Sequence, residues 1–330
     1  MTTTERFTAD FRADELALIT DLARRGLSLA FVGVAGIGKS NLLSALRLRH
    51  AALPSPAGPL SLRLVVLDGN NWDGSPAGFW RLARQETEQS LGVSANILPL
   101  ATDPSDRNNL IVRNLVGNAC RQPHLRLLFV LDDADRLLQN GPLDLLGQLR
   151  SLRDENRDVF SYLLFTKRLP HRLGAGLNLR TDSKFYELFS SRIYALCPYQ
   201  QTEARQMLHY LNDASDRPLR APALATILFL SGGHAMLLKH LHELWLEQPP
   251  SEEGVLATVV RHPDIADVCG RVVRSLHAHE QDVLKKLTRG QPLAPADAPA
   301  MTMLQKRGLL VGARNQCFSP VLERFVRELP

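Results

Sequence analysis

The chain has 330 residues, enough for two or three compact modules with a sizeable core. Hydrophobic residues make up 45% and charged residues 22%, which is typical of a globular protein and excludes the disordered and fibrous classes. The net charge of +5 points at first to nucleic acid, but 32 of the 39 basic residues are Arg and only 7 are Lys. In a sequence so rich in Leu and Ala, this preference for Arg indicates biased codon usage rather than a DNA-binding surface.

The first 200 residues alternate apolar stretches with amphipathic ones. Short apolar runs predict buried strands at 27–33, 62–69, 125–133, 159–168 and 191–199. Helical spacing of apolar residues predicts helices at 13–25, 40–50, 79–91, 108–120 and 143–155. Strands that alternate with helices predict an α/β fold with a parallel sheet covered on both faces.

After Pro198 the pattern becomes helical. The spacing predicts helices at 201–211, 222–232, 235–245, 268–276, 280–288 and 298–308, then a Gly-containing hairpin within 309–320 and a last helix from Val321. Three helices followed by a hairpin are the order of a winged helix. We expect an α/β domain at 1–200, a helical lid at 201–250 and a winged-helix domain at 255–330.

Cysteine use and hydropathy indicate the compartment. The four cysteines are far apart and form no CxxC pair, which indicates reduced thiols in the core of a cytosolic protein. The N-terminal stretch 1–15 lacks the apolar core of a signal peptide, and no stretch approaches the roughly 18 apolar residues of a membrane span. We expect a cytoplasmic protein that does not bind membranes.

The stretch GVAGIGKS, Gly33 to Ser40, fits the pattern G-x-x-x-x-G-K-[ST] between a predicted strand and a predicted helix. Its glycines allow successive backbone N–H groups to point at phosphate oxygens, and the helix N-terminus adds a positive field. Lys39 would reach the β- and γ-phosphates, and Ser40 would bind Mg²⁺. The sequence therefore predicts a nucleotide site, with contacts from Gly33, Gly36, Ile37, Gly38, Lys39, Ser40 and Asn41.

Two carboxylates end the third predicted strand, where ligands of open α/β sheets bind. Asp132 would hold Mg²⁺ through its water shell, and Asp133 would polarise the attacking water. Because an aspartate is one carbon shorter than a glutamate, this pair predicts slow hydrolysis. Asp135 is expected to cap the next helix, and Asn70 and Asn71 are candidates to orient Asp133 by a hydrogen bond.

The next strand ends in TKR, residues 166–168. In a parallel sheet Thr166 would bind water or phosphate, and Arg168 would detect the γ-phosphate as a third catalytic group beside Lys39 and Asp133. A solvated basic turn is the alternative. Arg150 on the preceding helix is either an arginine finger for a neighbouring subunit or, as we favour, an ordinary helix charge.

Together these features resemble the STAND-type ATPases, a switch-like branch near the AAA+ proteins within the ASCE division of P-loop NTPases. Gly33, Gly38, Lys39 and Ser40 match the Walker A motif of that family, Asp132 and Asp133 match its hhhhDD Walker B motif, and Arg168 matches its polar strand end. Arg12 and Glu15 match an N-terminal element that flanks adenine, although Phe11 replaces its Gly. GGHAM, residues 232–236, resembles the GxP motif of the lid, with Ala235 in place of Pro.

The resemblance covers almost the whole chain and implies Mg²⁺ with ATP or ADP, bound between the α/β domain and the lid. It also implies opening or oligomerisation on nucleotide exchange, in bacterial defence or signalling. Family members commonly carry an effector domain and a repeat sensor. This sequence contains neither, so we expect both on partner proteins.

Two other functions stay open. A DNA-binding AAA+-like ATPase, resembling transposition regulators or replication initiators, is the first. The candidate recognition helix at 295–307 is apolar until Lys306, and the more basic segment 283–289 lies one helix earlier, which favours protein contact over base reading. A nucleotide-loaded structural subunit without turnover is the second.

Overall fold

The computed structural model describes residues 6–50, 60–94, 103–173, 183–250 and 254–330. Packing divides the chain into two compact units. The lid unit comprises residues 1–12, 33–42 and 195–330, and the sheet unit comprises residues 13–32 and 43–194. The expected domain boundaries near 200 and 250 stay predictions, and residues 251–253 lie outside the described part of the chain.

The sheet has five strands in the order β2-β3-β4-β1-β5. The strands are β1 (Leu29–Val32), β2 (Ser61–Asp68), β3 (Leu125–Asp132), β4 (Phe160–Thr166) and β5 (Ile193–Ala195). β2 pairs with β3, β3 with β4 and β4 with β1, all in parallel. The register places Thr166 beside Val32, so the carboxyl ends of β4 and β1 lie at one edge of the sheet. The α/β fold predicted from the sequence is confirmed.

Helices cover this sheet and close its core. They are α1 (Ala13–Arg24), α2 (Lys39–Arg49), which crosses from one unit to the other, α3 (Pro76–Leu91), α4 (Pro104–Cys120), α5 (Asp135–Asn140), α6 (Leu143–Glu155) and α7 (Lys184–Glu187). Aromatic rings dominate the core: Phe129, Phe160, Tyr162 and Phe185 meet edge to face with centroids 4.8 to 5.4 Å apart. Such pairs contribute about 0.5–1.5 kcal/mol beyond burial.

Among its described residues after 200, the lid unit is helical apart from one hairpin. Its helices after residue 200 are α8 (Gln201–Asp213), α9 (Ala221–Ser231), α10 (Ala235–Glu247), α11 (Val255–Arg261), α12 (Pro263–Arg274), α13 (Ala278–Thr288), α14 (Ala298–Lys306) and α15 (Pro320–Glu328). The hairpin consists of β6 (Leu310–Val311) and β7 (Gln316–Cys317), which pair antiparallel between α14 and α15. Four α-helices precede this hairpin after residue 254, and the winged-helix assignment of residues 255–330 stays a prediction.

The burial of the cysteines agrees in part with the expectation of reduced thiols in the core. Cys269 and Cys317 are buried, whereas Cys120 and Cys197 are half-buried, and all four thiols are free. Burial raises the pKa of Cys120 to about 11. Among the helices of the described residues, none combines the length and the apolar character needed to span a bilayer.

Candidate nucleotide site

The phosphate loop, residues 33–38, follows β1 directly, and α2 begins at Lys39. Gly36 has φ of 74° and Gly38 has φ of 104°, in the left-handed region that favours glycine. A Cβ atom at Gly36 would lie 2.8 Å from Cβ of Met236, and one at Gly38 would lie 2.6 Å from the Tyr199 hydroxyl. Glycine is therefore required at both positions by backbone conformation and by space.

Lys39 and Ser40 open α2 at the end of this loop. Lys39 is 9% exposed, and its Nζ lies 3.5 Å from the carbonyl oxygen of Gly33, across the base of the loop. Ser40 is exposed in the first helical turn. A buried ammonium beside a helix N-terminus makes this end of the loop a place where an anion is stabilised.

The start of α10 holds the loop from one side. Nε2 of His234 lies 2.9 Å from the carbonyl oxygen of Ala35, and the backbone N–H of Met236 donates to the carbonyl oxygen of Gly36 at 3.1 Å. Nδ1 of His234 accepts the backbone N–H of Leu237 at 3.2 Å, so His234 caps α10. Because Nδ1 is an acceptor, the proton of the neutral ring is on Nε2, which donates it to Ala35. We call the bonds to Ala35 and Gly36 the loop clasp.

The imidazole of His234 is fully buried, and burial lowers its pKa to about 4. Its two nitrogens each have a partner that matches the neutral ring. Protonation would turn Nδ1 into a donor that faces the N–H of Leu237, and it would place an uncompensated charge in the interior. The clasp therefore requires neutral His234.

This pKa predicts acid sensitivity. In the unfolded chain His234 takes up a proton near its ordinary pKa of 6.5, whereas the native ring stays neutral down to about pH 4. Stability from this residue is thus complete above pH 6.5 and is lost as the pH falls towards 4. When the pH is lowered from about 7.5 to about 5, we expect protonation linked to His234 to reduce the unfolding free energy of the wild type by about 2 kcal/mol. In His234→Asn this reduction is expected to be absent.

Urea unfolding of both proteins at the two pH values measures this difference. His209, which is exposed, supplies the control His209→Asn, for which we expect the wild-type pH dependence. An equal pH dependence in the wild type and His234→Asn would contradict the assignment.

The other side of the loop packs on the N-terminal segment. The Asn41 amide donates to the Tyr199 hydroxyl at 2.6 Å, and its oxygen accepts from Arg6 at 2.7 Å. Arg12 is buried at φ of 49°; its guanidinium donates to the carbonyl oxygen of Cys197 at 2.8 Å and lies 4.7 Å from the Tyr199 ring centre. Nucleotide contacts from Asn41 and Arg12 stay predictions, and both side chains already have protein partners.

In the sheet unit, the carboxylates lie at the edge where β3 ends. Asp132 is the last residue of β3, and its Oδ1 accepts the backbone N–H of Asp133 at 3.0 Å. Asp133 has φ of 46°, which Asp tolerates better than most residues. The expected hydrogen bond from Asn70 is present, with its amide nitrogen 3.2 Å from Oδ2 of Asp133. The end of β2 thus helps to orient Asp133.

Lys167 is a partner of Asp133 that the sequence did not reveal. Its Nζ lies 3.0 Å from Oδ1 of Asp133, in a pair whose side chains are 36% and 26% exposed. Its backbone N–H donates to the Asp135 carboxylate at 2.9 and 3.0 Å. The predicted capping role of Asp135 is wrong: Ala134 precedes α5 without a side-chain cap, because the Asp135 carboxylate binds the end of β4 instead.

The other residues of the β4 end differ in their surroundings. Thr166 is fully buried, and its hydroxyl has no hydrogen-bond partner. Arg168 is half-buried two residues after β4, and its predicted role stays a prediction. Arg150 binds Asp154 at 2.7 Å and the carbonyl oxygen of Lys184 at 2.8 Å, so contacts within its own unit hold it.

No protein-family model matches the sequence, and no curated protein matches it. Solved structures do match. The Walker-type ATPase PABY2304 of Pyrococcus abyssi superposes with a TM-score of 0.61 at 14% identity, over 96% of this chain and 95% of that one. The chain has the fold of a Walker-type ATPase. Cdc6p from Pyrobaculum aerophilum gives a TM-score of 0.45 at 13% identity over 99% and 98% of the two chains.

The residues present fit the nucleotide and metal that the Walker fold implies. In the Walker A loop, Gly36 and Gly38 curl the backbone and Lys39 supplies a buried cation. Ser40 has a hydroxyl oxygen and Asp132 has carboxylate oxygens, both of the kind that Mg²⁺ prefers, and their joint role in holding the metal stays a prediction. In the described ranges, no group of three or more His, Cys, Asp or Glu side chains is placed to hold a metal ion.

The sequence missed His234, Ser275, Tyr199 and Lys167. Ser275 accepts the N–H of Ala35 at 3.3 Å, and Tyr199 touches the loop at Gly38. One signal was available: the paired Gly232 and Gly233 before His234 have φ of 56° and 81°, typical of a tight turn that leads into a helix cap. Tyr199 and Ser275 lie far from the loop in sequence and follow no pattern, and Lys167 lies within the TKR strand end, where only Thr166 and Arg168 were given roles.

Proposed function

We propose that the protein binds Mg²⁺–ATP and hydrolyses it slowly, as a nucleotide-dependent switch of the STAND type. Lys39 binds the β- and γ-phosphates, and the N–H groups of residues 36–40 surround them. Ser40 and Asp132 hold Mg²⁺, which when bound neutralises phosphate charge. Asp133 orients the attacking water, and Arg168 contacts the γ-phosphate.

The conformation of residues 33–40 carries this proposal. A loop with two glycines at positive φ, a buried lysine at its end and a helix that starts there supports a concave anion site built from backbone. A solvated glycine turn would need neither the buried ammonium nor the close approach of Tyr199 and Met236. Phosphate binding explains both.

Slow turnover is supported by the partners of Asp133. A water-orienting carboxylate needs an oxygen directed at the water, but Lys167 binds Oδ1 and Asn70 binds Oδ2. Each oxygen keeps a second lone pair that accepts water, but only from water that reaches the carboxylate in the orientation that Lys167 and Asn70 hold. This restraint supports slow turnover.

The switch is tested by molar mass in solution. With Mg²⁺ present, we expect light scattering to give a larger mass with a non-hydrolysable ATP analogue than with ADP, because the resemblance implies assembly on exchange. Equal masses in both states, alone or with co-purifying proteins, would contradict the switch. Tightly bound ADP without any phosphate release would instead indicate a structural subunit.

Thr166 provides a test of the β4 end. We expect Thr166→Val, which keeps the shape of the side chain, to lower ATP hydrolysis about tenfold, because the unpartnered hydroxyl is the group available to water or phosphate. The same change is expected to leave the unfolding free energy equal or higher, because it removes a buried polar group without a partner.

Ser161, on the same strand, is also buried with an unpartnered hydroxyl, but it lies in the middle of the sheet beside Leu128. Ser161→Ala is therefore the control, with stability unchanged or higher and hydrolysis unchanged. Wild-type hydrolysis in Thr166→Val would remove Thr166 from the site.

A second function, a DNA-binding ATPase, is favoured by the distribution of charge. Residues 255–330 contain eleven Lys and Arg against seven Asp and Glu, so they carry most of the net positive charge. Several of these cations are paired nearby, as Arg271 is with Asp267, Lys286 with Asp297 and Arg327 with Glu323. Gel-shift titration at two salt concentrations tests this function: affinity that falls steeply with salt supports it, and no binding at low salt rules it out.

A further inference from the structure

The loop clasp fixes the orientation of two peptide units in the phosphate loop. In a trans peptide the C=O of one residue and the N–H of the next point in opposite directions. His234 and Met236, at the start of α10, bind the carbonyl oxygens of Ala35 and Gly36. The N–H groups of Gly36 and Ile37 must therefore point away from α10.

A weak bond within the loop shows where one of these N–H groups points. The N–H of Ile37 lies 3.4 Å from the carbonyl oxygen of Val34, across the inside of the loop. This distance is long for an amide hydrogen bond, so little is lost when an anion replaces the carbonyl. The clasp thus directs these N–H groups to the side where phosphate oxygens bind.

We propose that His234 is a positioning residue for the phosphate loop: through the clasp, helix α10 orients the N–H groups that bind nucleotide phosphates. This inference rests on the proposed nucleotide binding. Its consequence is reciprocal, because two binding events that favour the same loop conformation strengthen each other. Phosphate binding strengthens the clasp, and a broken clasp weakens phosphate binding.

The variant His234→Asn separates the clasp from helix capping. Asparagine is a favoured N-cap and retains an acceptor for Leu237, but it is too short to also reach Ala35. His234→Ser, another good cap, is the second variant if the first does not unfold cooperatively. Ser319→Ala is the matched control: Ser319 also caps a helix and donates to a distant carbonyl, that of Leu230, but it does not touch the loop.

The first measurement is ADP affinity by calorimetry with Mg²⁺. We expect His234→Asn to bind ADP about tenfold more weakly than the wild type, and Ser319→Ala to stay within about twofold. An ADP affinity of His234→Asn within about twofold of the wild type, or equal losses in both variants, would overturn the inference while the proposed function stands. If the wild type binds no ADP, both are overturned.

The second measurement is hydrogen exchange at the Met236 amide. This N–H is in the first turn of α10 and donates to Gly36, so its exchange reports the clasp directly. We expect ADP to slow its exchange about tenfold in the wild type and less in His234→Asn. Exchange that ADP does not change in the wild type would also overturn the inference.

Discussion

Replacing Lys39 with alanine is expected to weaken Mg²⁺–ATP binding about a hundredfold, since charge-assisted hydrogen bonds to phosphate contribute about 1.5–3 kcal/mol. Lys39 is 9% exposed at the end of the phosphate loop, so its ammonium has already given up most of its water. A phosphate oxygen carries negative charge and is therefore a stronger acceptor than a neutral carbonyl such as that of Gly33, 3.5 Å from Nζ. The loss is expected in calorimetric titration, with unfolding little changed.

Arg47→Ala is the control for this experiment. Arg47 is exposed in the last turn of the same helix, so its removal changes the net charge equally without touching the loop. We expect its ATP affinity to be that of the wild type. An unchanged affinity in Lys39→Ala would show that the phosphates bind elsewhere and would remove the site assignment.

Replacing Asp133 with asparagine is expected to lower ATP hydrolysis about a hundredfold while ATP still binds, because the amide does not accept the proton of the attacking water. The change keeps the size of the side chain, and asparagine also tolerates the φ of 46° at this position. The backbone of the β3 end is therefore expected to stay in place. Phosphate release under single-turnover conditions measures the effect.

Asp21→Asn is the control, since Asp21 lies on α1 and pairs with Arg25 on an exposed surface. We expect it to hydrolyse ATP as the wild type does. Should Asp133→Asn keep the wild-type rate, another group must orient the water, and the role of Asp133 would be structural, as a partner of Lys167 and Asn70.

Hydrophobic periodicity predicted the long elements of the fold well. Every strand of the sheet and helices such as α6, at residues 143–155, were identified, because each buries a face wide enough to leave a clear period. The starts of α3 and α4 were placed too late. Ser75 and Asp103 cap these helices and a Pro follows each, so the start signals were present before the apolar period began.

In the described part of the chain, three short helices escaped prediction for a physical reason. α5 has six residues, α7 has four and α11 has seven, and fewer than two full turns show no period. Their positions depend on contacts with distant segments, such as the Asp135 carboxylate that binds the end of β4. Such contacts leave no local pattern in the sequence.

Candidate site residues could be predicted only where they lie close together in the sequence. Gly36, Gly38 and Lys39 lie within one motif whose spacing is typical of phosphate binding, so the pattern alone is enough to propose them. His234 contacts a residue 199 positions earlier, and the contact is to a backbone carbonyl, which any residue would supply. The same holds for Arg12, whose buried contacts with Cys197 and Tyr199 follow from packing.

Nucleotide binding by the phosphate loop is measured by calorimetric titration of the intact protein, freed of nucleotide, with ADP in the presence of Mg²⁺. We predict saturable binding at one site per chain, lost in Lys39→Ala and kept in Arg47→Ala. A titration without saturable heat, in a protein that unfolds cooperatively, would show that the phosphate loop does not bind nucleotide.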